Sequence, residues 1–415
     1  MYSNRVSKIK VSPIKQIELL ASKIPGVVSL AQGIPSFDTP EEIKNNVKAA
    51  LDKGLTPKYT VPPGLPILRE VIEKKLAESE MFYDFETEII VTCGAVEALT
   101  ATFFAIIDQG DEVIIPTPSY TTYQEIVKLS GAKPIFTNLD EESGWQFNME
   151  DFTSKISKKT KAVIVCNPNN PTGSILSKDQ LIEIGHLAVK NNFFIILDEV
   201  YKDFIYRNID YFSLATETQF RKKIIRIFSL SKSYAMTGWR IAFLHSDKKN
   251  IEQILKVHDN LVTCAPTISQ YAAIAALESG EQSVMKFKKI YQQRLNLICQ
   301  KLDELKDIFS YQKPSSSYFV FPKILTQEGR DSWQFCLDIL NIAKVALVPG
   351  IAFGPNGEGH VRMSFGRDEE TIIEAFKRLK KYFTPSPRNP HSFHLGHGSI
   401  NSPQNESYVQ QLGSE

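Results

Sequence analysis

The chain has 415 residues, with 48 Lys and Arg against 47 Asp and Glu, and 42% of it is hydrophobic. That length supports two or three domains' worth of core, and the hydrophobic share is that of an ordinary globular chain. The balanced charge argues against a nucleic-acid binder, which would carry a basic excess, and the longest apolar runs, such as "FFIIL", are too short to span a bilayer.

The N-terminal "MYSNRVSKIKVSPIK" is basic but has no apolar core, so it does not read as a secretory signal. The five cysteines, Cys93, Cys166, Cys264, Cys299 and Cys336, are scattered, odd in number and free of any C-x-x-C pair. This is the usage of reduced thiols in a cytoplasmic compartment, not of a disulfide framework or a zinc site.

Four segments read as buried strands: "EIIVTCG", "KAVIVCNP", "FFIILDEVY" and "KKIIRIFSLSK". Each is a short β-branched or aromatic run that ends in small or polar residues, as a parallel sheet covered on both faces requires. Helical patterns lie between them, such as "SKDQLIEIGHLAVKNN", with Leu181, Ile184 and Leu187 on one face. Alternating strand and helix predicts an α/β fold, a large domain with a mostly parallel, doubly wound sheet. Ligands of such sheets sit beyond the carboxyl ends of the strands, where "TCG", "NPNNPTG", "DEVY" and "SLSK" fall.

The last third changes character. The strand-like "HVRMSF" precedes "DEETIIEAFKRLKKYF", a terminal amphipathic helix with Asp368 as N-cap and a stripe of Ile372, Ile373, Phe376, Leu379 and Phe383. A smaller α+β domain is expected, built from the N-terminal segment (1–45) and residues 284–383 around a large domain over 46–283. From Thr384 onward the chain is rich in Pro, Ser, Asn and Gly, and residues 384–415 read as a disordered tail. His391, His394 and His397 stand three apart there, but no acidic or thiol partner joins them and no metal is expected.

The polar strand ends can serve one chemistry together. Pyridoxal phosphate needs a lysine to bond its aldehyde, an acid to keep its pyridine nitrogen protonated, donors to its phenolate oxygen, and a phosphate cup. Lys232 in "SLSKSYAMTGWR" is the lysine candidate. Asp198, ending "FFIILD", is the acid; Tyr201 and Asn170 are donors. The turn "TCGAVEAL" opens a helix after a strand, so backbone N–H groups near Gly94, Ala95 and Val96 would face an anion. Ser229 and Arg240 supply side-chain donors, and the guanidinium fork matches phosphate oxygens. Each residue alone has an ordinary reading: a solvated lysine, a helix-capping aspartate, a turn asparagine, a surface arginine.

At these residues the sequence resembles the class I/II pyridoxal-phosphate-dependent aminotransferases of fold type I. The motifs are "LAQGIPSFDTP", "YTVPPGLPILRE", "NPNNPTG", "DEVY", "SLSKSYAMTGWR" and "PGIAFGPNGEGHVRMSFG", in that family's order, over about Ile14 to Phe383. The resemblance implies an exchange of an amino group between an L-amino acid and a 2-oxo acid such as 2-oxoglutarate, by a ping-pong mechanism. It implies that Lys232 holds the cofactor and shuttles a proton between substrate Cα and cofactor C4′, and that Asp198 pairs with the pyridine nitrogen. Tyr201 and Asn170 would donate to the phenolate oxygen, and Tyr120 would stack on the ring. Ala95, Val96, Ser229 and Arg240 would hold the phosphate, and Tyr59 would reach it from the partner subunit of a homodimer. Arg362 would clamp the substrate α-carboxylate, beside Asn170, and Gly33 would belong to a segment that closes over the substrate.

One departure bears on the substrate. In many aspartate-specific members the position of Val96 is a lysine for the distal carboxylate, so aromatic, sulfur-containing or other neutral side chains are expected over aspartate. A lyase or cyclising dehydratase would use the same cofactor contacts. A non-catalytic pyridoxal-phosphate-binding domain of a regulator is disfavoured, because few residues precede "IELLASKIPG". A nicotinamide-dependent dehydrogenase is disfavoured because no strand ends in G-x-G-x-x-G.

Overall fold

Eight strands form one sheet: β1 (Ile89–Thr92), β2 (Glu112–Thr117), β3 (Lys133–Asp140), β4 (Gln146–Phe147), β5 (Thr160–Cys166), β6 (Phe194–Asp198), β7 (Ile224–Ser229) and β8 (Ala242–Ser246). Their spatial order is β1-β8-β7-β6-β5-β2-β3-β4. The structure, a computed structural model, describes residues 2–384 apart from positions 4, 10, 207–208 and 327–330. The expected disordered tail and its three histidines lie outside the described residues beyond Thr384.

β7, β6, β5, β2 and β3 run parallel. Successive side chains point to opposite faces, so a strand covered on both sides must be apolar throughout. In β6, Ile195 and Leu197 pack into one core, and Ile196 packs into the other. Helices Ala95–Ile106, Thr122–Ser130 and Lys248–Val262 cover one face, while Lys178–Asn191 and Thr267–Ser279 cover the other.

All four segments read as strands are strands, but β1 is not a direct neighbour of the other three. It pairs antiparallel with β8, which pairs antiparallel with β7. Two reversals return β1 to the sense of β7, so the carboxyl ends of β1, β5, β6 and β7 share one edge of the sheet.

A second, three-stranded antiparallel sheet orders Phe319–Val320, Val361–Ser364 and Val348–Pro349. Val28–Ser29 of the N-terminal segment pairs with Val345–Ala346, which ties the two ends of the chain into the smaller α+β part. Lines drawn at 45/46 and 283/284 pass through helices Glu41–Asp52 and Glu281–Asp303. The terminal helix spans Glu369–Phe383; Asp368 accepts from the Thr371 N–H, a cap that contributes about 1 kcal/mol. Ile372, Phe376 and Leu379 are buried, but Ile373 is 47% exposed. The expected stripe was too wide, because one helix face cannot hold two consecutive residues equally.

Candidate active site

The shared edge of the sheet opens into a cavity of about 360 Å³. Each strand delivers its candidate within four residues of its end. Asp198 is the last residue of β6, and β5 runs on into "NPNNPTG" and so to Asn170. Ser229 closes β7 and caps a one-turn helix, Leu230–Ser233, that carries Lys232. β1 runs into Gly94 and the N-terminus of helix Ala95–Ile106. Lys232, Asp198, Asn170, Tyr201, Ser229, Arg240, Ala95, Val96, Tyr120, Gly33 and Arg362 all line this cavity. Tyr59 does not; it lies on the surface, 86% exposed.

Lys232 Nζ donates to the Gly33 carbonyl at 2.8 Å, and the Tyr318 hydroxyl donates to the same oxygen at 3.0 Å. Loss of water and the positive charges of Arg362 and Arg240 together lower the Lys232 pKa from 10.5 to about 8, with Asp198 opposing them. This amine is therefore partly unprotonated near neutral pH.

Asp198 is 4% exposed. Burial raises its pKa from 3.8 to about 6, against the opposing hydrogen bond from Tyr123 and the N–H of Val200. Tyr123 Oη donates to Asp198 Oδ2 at 2.7 Å, and the Val200 N–H donates to Oδ1 at 3.3 Å. Sequence reasoning singled out Tyr120 and passed over Tyr123. The available signal was the i, i+3 spacing, which puts both rings on one face of the chain's next turn; they meet edge to face at 5.5 Å.

Arg362 is buried, and its guanidinium lies 4.3 Å from the Phe319 ring centre. Burial lowers its pKa to about 10, so it stays charged at neutral pH. Nη1 donates to Asn170 Oδ1 at 3.2 Å and Nη2 donates to the Ala31 carbonyl at 2.6 Å. Nε is buried with no hydrogen-bond partner. Such an orphan costs about 1–3 kcal/mol unless a ligand supplies an acceptor. Asn170 Nδ2 in turn donates to the Tyr201 hydroxyl at 3.4 Å, linking the arginine to the phenol.

The side of the cavity at Gly94 combines backbone and side-chain donors. Gly94 has φ +85°, and a Cβ there would overlap the Arg240 guanidinium. Only glycine lets this turn and Arg240 approach each other. Ser229 is buried and Arg240 Nη1 donates to the Thr237 carbonyl at 3.0 Å. Arg240, Ser229 and the free N–H groups at the helix start converge on one side of the cavity, a donor set for a phosphate dianion. A lysine of lowered pKa, a buried acid, a phenol and an amide side by side and this set of donors are the kinds of group that pyridoxal phosphate requires. Among the described residues no cluster of His, Cys, Asp or Glu could hold a metal ion, and no helix is long and apolar enough to cross a membrane.

The large mixed sheet and its helices make an α/β fold, and solved structures similar to it are fold type I aminotransferases. The chain belongs to the class I and II aminotransferases, whose family model matches residues 25–379. It is 38% identical over 382 residues to an aspartate aminotransferase of Pyrococcus abyssi, covering 91% of this chain and 97% of that one. It is 35% identical over 382 residues to aromatic-amino-acid aminotransferase 2 of Thermococcus litoralis, with the same two shares of 91% and 97%. The structure of the aspartate aminotransferase of Thermus thermophilus with maleate superposes with a TM-score of 0.86 at 31% identity, over 92% of this chain and 99% of that one.

Proposed function

We propose that this chain is a pyridoxal-phosphate-dependent aminotransferase that works by a ping-pong exchange between an L-amino acid and a 2-oxo acid, as a cytoplasmic homodimer. The single observation that carries this reading is the meeting of Lys232, Asp198, Asn170, Tyr201, Arg240 and Arg362 around one cavity from four separate chain segments. The division into a large domain (46–283) and a small domain (1–45 with 284–383) is part of the same reading.

Bound pyridoxal phosphate supplies an electron sink that makes the substrate Cα proton removable. Lys232 Nζ, with its pKa near 8, has the neutral fraction needed to bond the cofactor aldehyde and to move the proton at the substrate Cα. Asp198 holds a proton on the pyridine nitrogen, and Tyr123 fixes the carboxylate. Tyr201 and Asn170 donate to the phenolate oxygen. Tyr120 covers one face of the ring. Ser229, Arg240 and the N–H groups at Ala95 and Val96 hold the phosphate, and Tyr59, turned away from its own cavity, reaches the phosphate of the other subunit. Arg362 takes the substrate α-carboxylate, which gives the Nε orphan its acceptor, while Asn170 orients the guanidinium. Gly33 sits where Lys232 can hold the N-terminal segment over the cavity.

Val96 is 37% exposed and brings no charge to the cavity, which supports a donor with an aromatic, sulfur-containing or other neutral side chain over aspartate. Lys232→Ala is expected to remove the visible band of the lysine-bound cofactor and all turnover; a retained band refutes the assignment of Lys232. An amino donor given alone is expected to yield one equivalent of oxo acid per site and then stop. Continuous turnover without an acceptor refutes aminotransfer in favour of a lyase or cyclase.

A further inference from the structure

Helix Pro13–Ser22 borders the same cavity, with Ser12, Ile14, Lys15 and Glu18 among the lining residues. Ser12 Oγ lies 3.3 Å from Thr121 Oγ1, so the helix start is tied to the residue that follows Tyr120. Lys15 and Glu18 share a face of the helix, and Lys15 Nζ meets Glu18 Oε2 at 3.0 Å. The Lys15 side chain is 66% exposed and that of Glu18 only 20%. Both charges reach the reacting centre: Lys15 helps to lower the pKa of Lys232, and Glu18 acts on Arg362 in the opposite sense.

Among the described residues, four cationic side chains line this cavity: Lys15, Lys232, Arg240 and Arg362. The proposed chemistry uses the last three for the cofactor aldehyde, the phosphate and the α-carboxylate. A substrate with a second carboxylate therefore has one of these described cations left to meet. The Lys15–Glu18 pair is an exposed contact of a kind that contributes at most about 0.5 kcal/mol, so a substrate carboxylate can take the amine from it at little cost.

We infer that Lys15 is a specificity-determining residue that receives the distal carboxylate of a dicarboxylic 2-oxo acid, of the 2-oxoglutarate type, and of the matching amino acid in reverse. Glu18 holds the amine at the cavity rim when that carboxylate is absent. A neutral donor leaves the pair closed, and a dicarboxylic acceptor opens it, so one cavity serves two unlike partners in alternate half-reactions. This inference rests on the aminotransfer reading.

The test uses the holoenzyme with Lys15→Gln, Lys15→Arg and Glu18→Gln. Calorimetric titration with unreactive glutarate and with butyrate gives a dissociation constant for each. Half-reactions give kcat/KM for 2-oxoglutarate relative to pyruvate. Lys15→Gln is expected to weaken glutarate relative to butyrate about fivefold and to lower the 2-oxoglutarate/pyruvate ratio by a similar factor, while Lys15→Arg restores both and Glu18→Gln tightens glutarate. A glutarate-to-butyrate ratio within twofold of wild type in Lys15→Gln, or one that Lys15→Arg fails to restore, overturns the inference. Failure of aminotransfer itself would look different: the wild type would release no oxo acid from any donor, and the glutarate titration would still report on Lys15.

Discussion

The buried carboxylate of Asp198, proposed to pair with the cofactor, should cost stability in the cofactor-stripped protein. Its pKa stands at about 6 against 3.8 for the free side chain. Two pK units correspond to about 3 kcal/mol between the charged and neutral forms. For an acid whose folded pKa is raised, the unfolded chain loses its proton first. The penalty is absent below pH 3.8, grows between 3.8 and about 6, and is complete above that. Asp198→Asn removes the charge. The asparagine keeps one carbonyl acceptor, so one of the bonds from Tyr123 Oη and the Val200 N–H is lost, a cost of about 1 kcal/mol that does not depend on pH. Stripped Asp198→Asn is therefore expected to be about 2 kcal/mol more stable than stripped wild type at pH 7.5, with the gap narrowing by more than 1 kcal/mol at pH 5. Urea unfolding at equal protein concentration at the two pH values reads this directly. A variant no more stable than wild type at pH 7.5, with a gap that does not change on acidification, would refute the argument that burial sets this pKa. Restoring pyridoxal phosphate should reverse the order, since only the aspartate pairs with a protonated ring nitrogen.

Two further outcomes follow from the site. Arg362→Lys keeps a charge but loses the fork on the Phe319 ring; kcat/KM should fall about 100-fold for every amino acid, the visible band of the bound cofactor being retained, and a fall of less than threefold would show that the α-carboxylate binds elsewhere. Gly94→Ala places a Cβ against the Arg240 guanidinium at a left-handed φ, so pyridoxal phosphate should dissociate at least tenfold more readily from a protein with unchanged circular dichroism. Equal cofactor affinity would exclude Arg240 from the cup.

The legible part of the site was its polar punctuation. "SLSK", "NPNNPTG" and "DEVY" each end an apolar run, and a covered parallel sheet leaves no other place for them than its carboxyl edge. Arg362 was legible only through resemblance, because an arginine in a short strand reads as a solvent-facing partner, whereas here all four residues of Val361–Ser364 are buried. Lys15 was not legible at all. Its place at the cavity depends on helix Pro13–Ser22 coming back over the sheet edge, and nothing in "SPIKQIELL" encodes that docking locally.

The same limit explains β8. "AFLHS" carries no mark of its direction, since an antiparallel strand covered on both faces is as apolar as a parallel one. Yet that reversal decides the site. Were β1 joined directly to β7 in the antiparallel sense, its carboxyl end, Gly94 and the helix N-terminus would lie at the opposite edge, away from Lys232. With β8 between them, β1 and β7 point the same way, and Gly94 comes against Arg240. The proposed phosphate cup therefore depends on sheet topology as well as on the Ser229 and Arg240 side chains, and at Ala95 and Val96 it rests on backbone N–H groups alone.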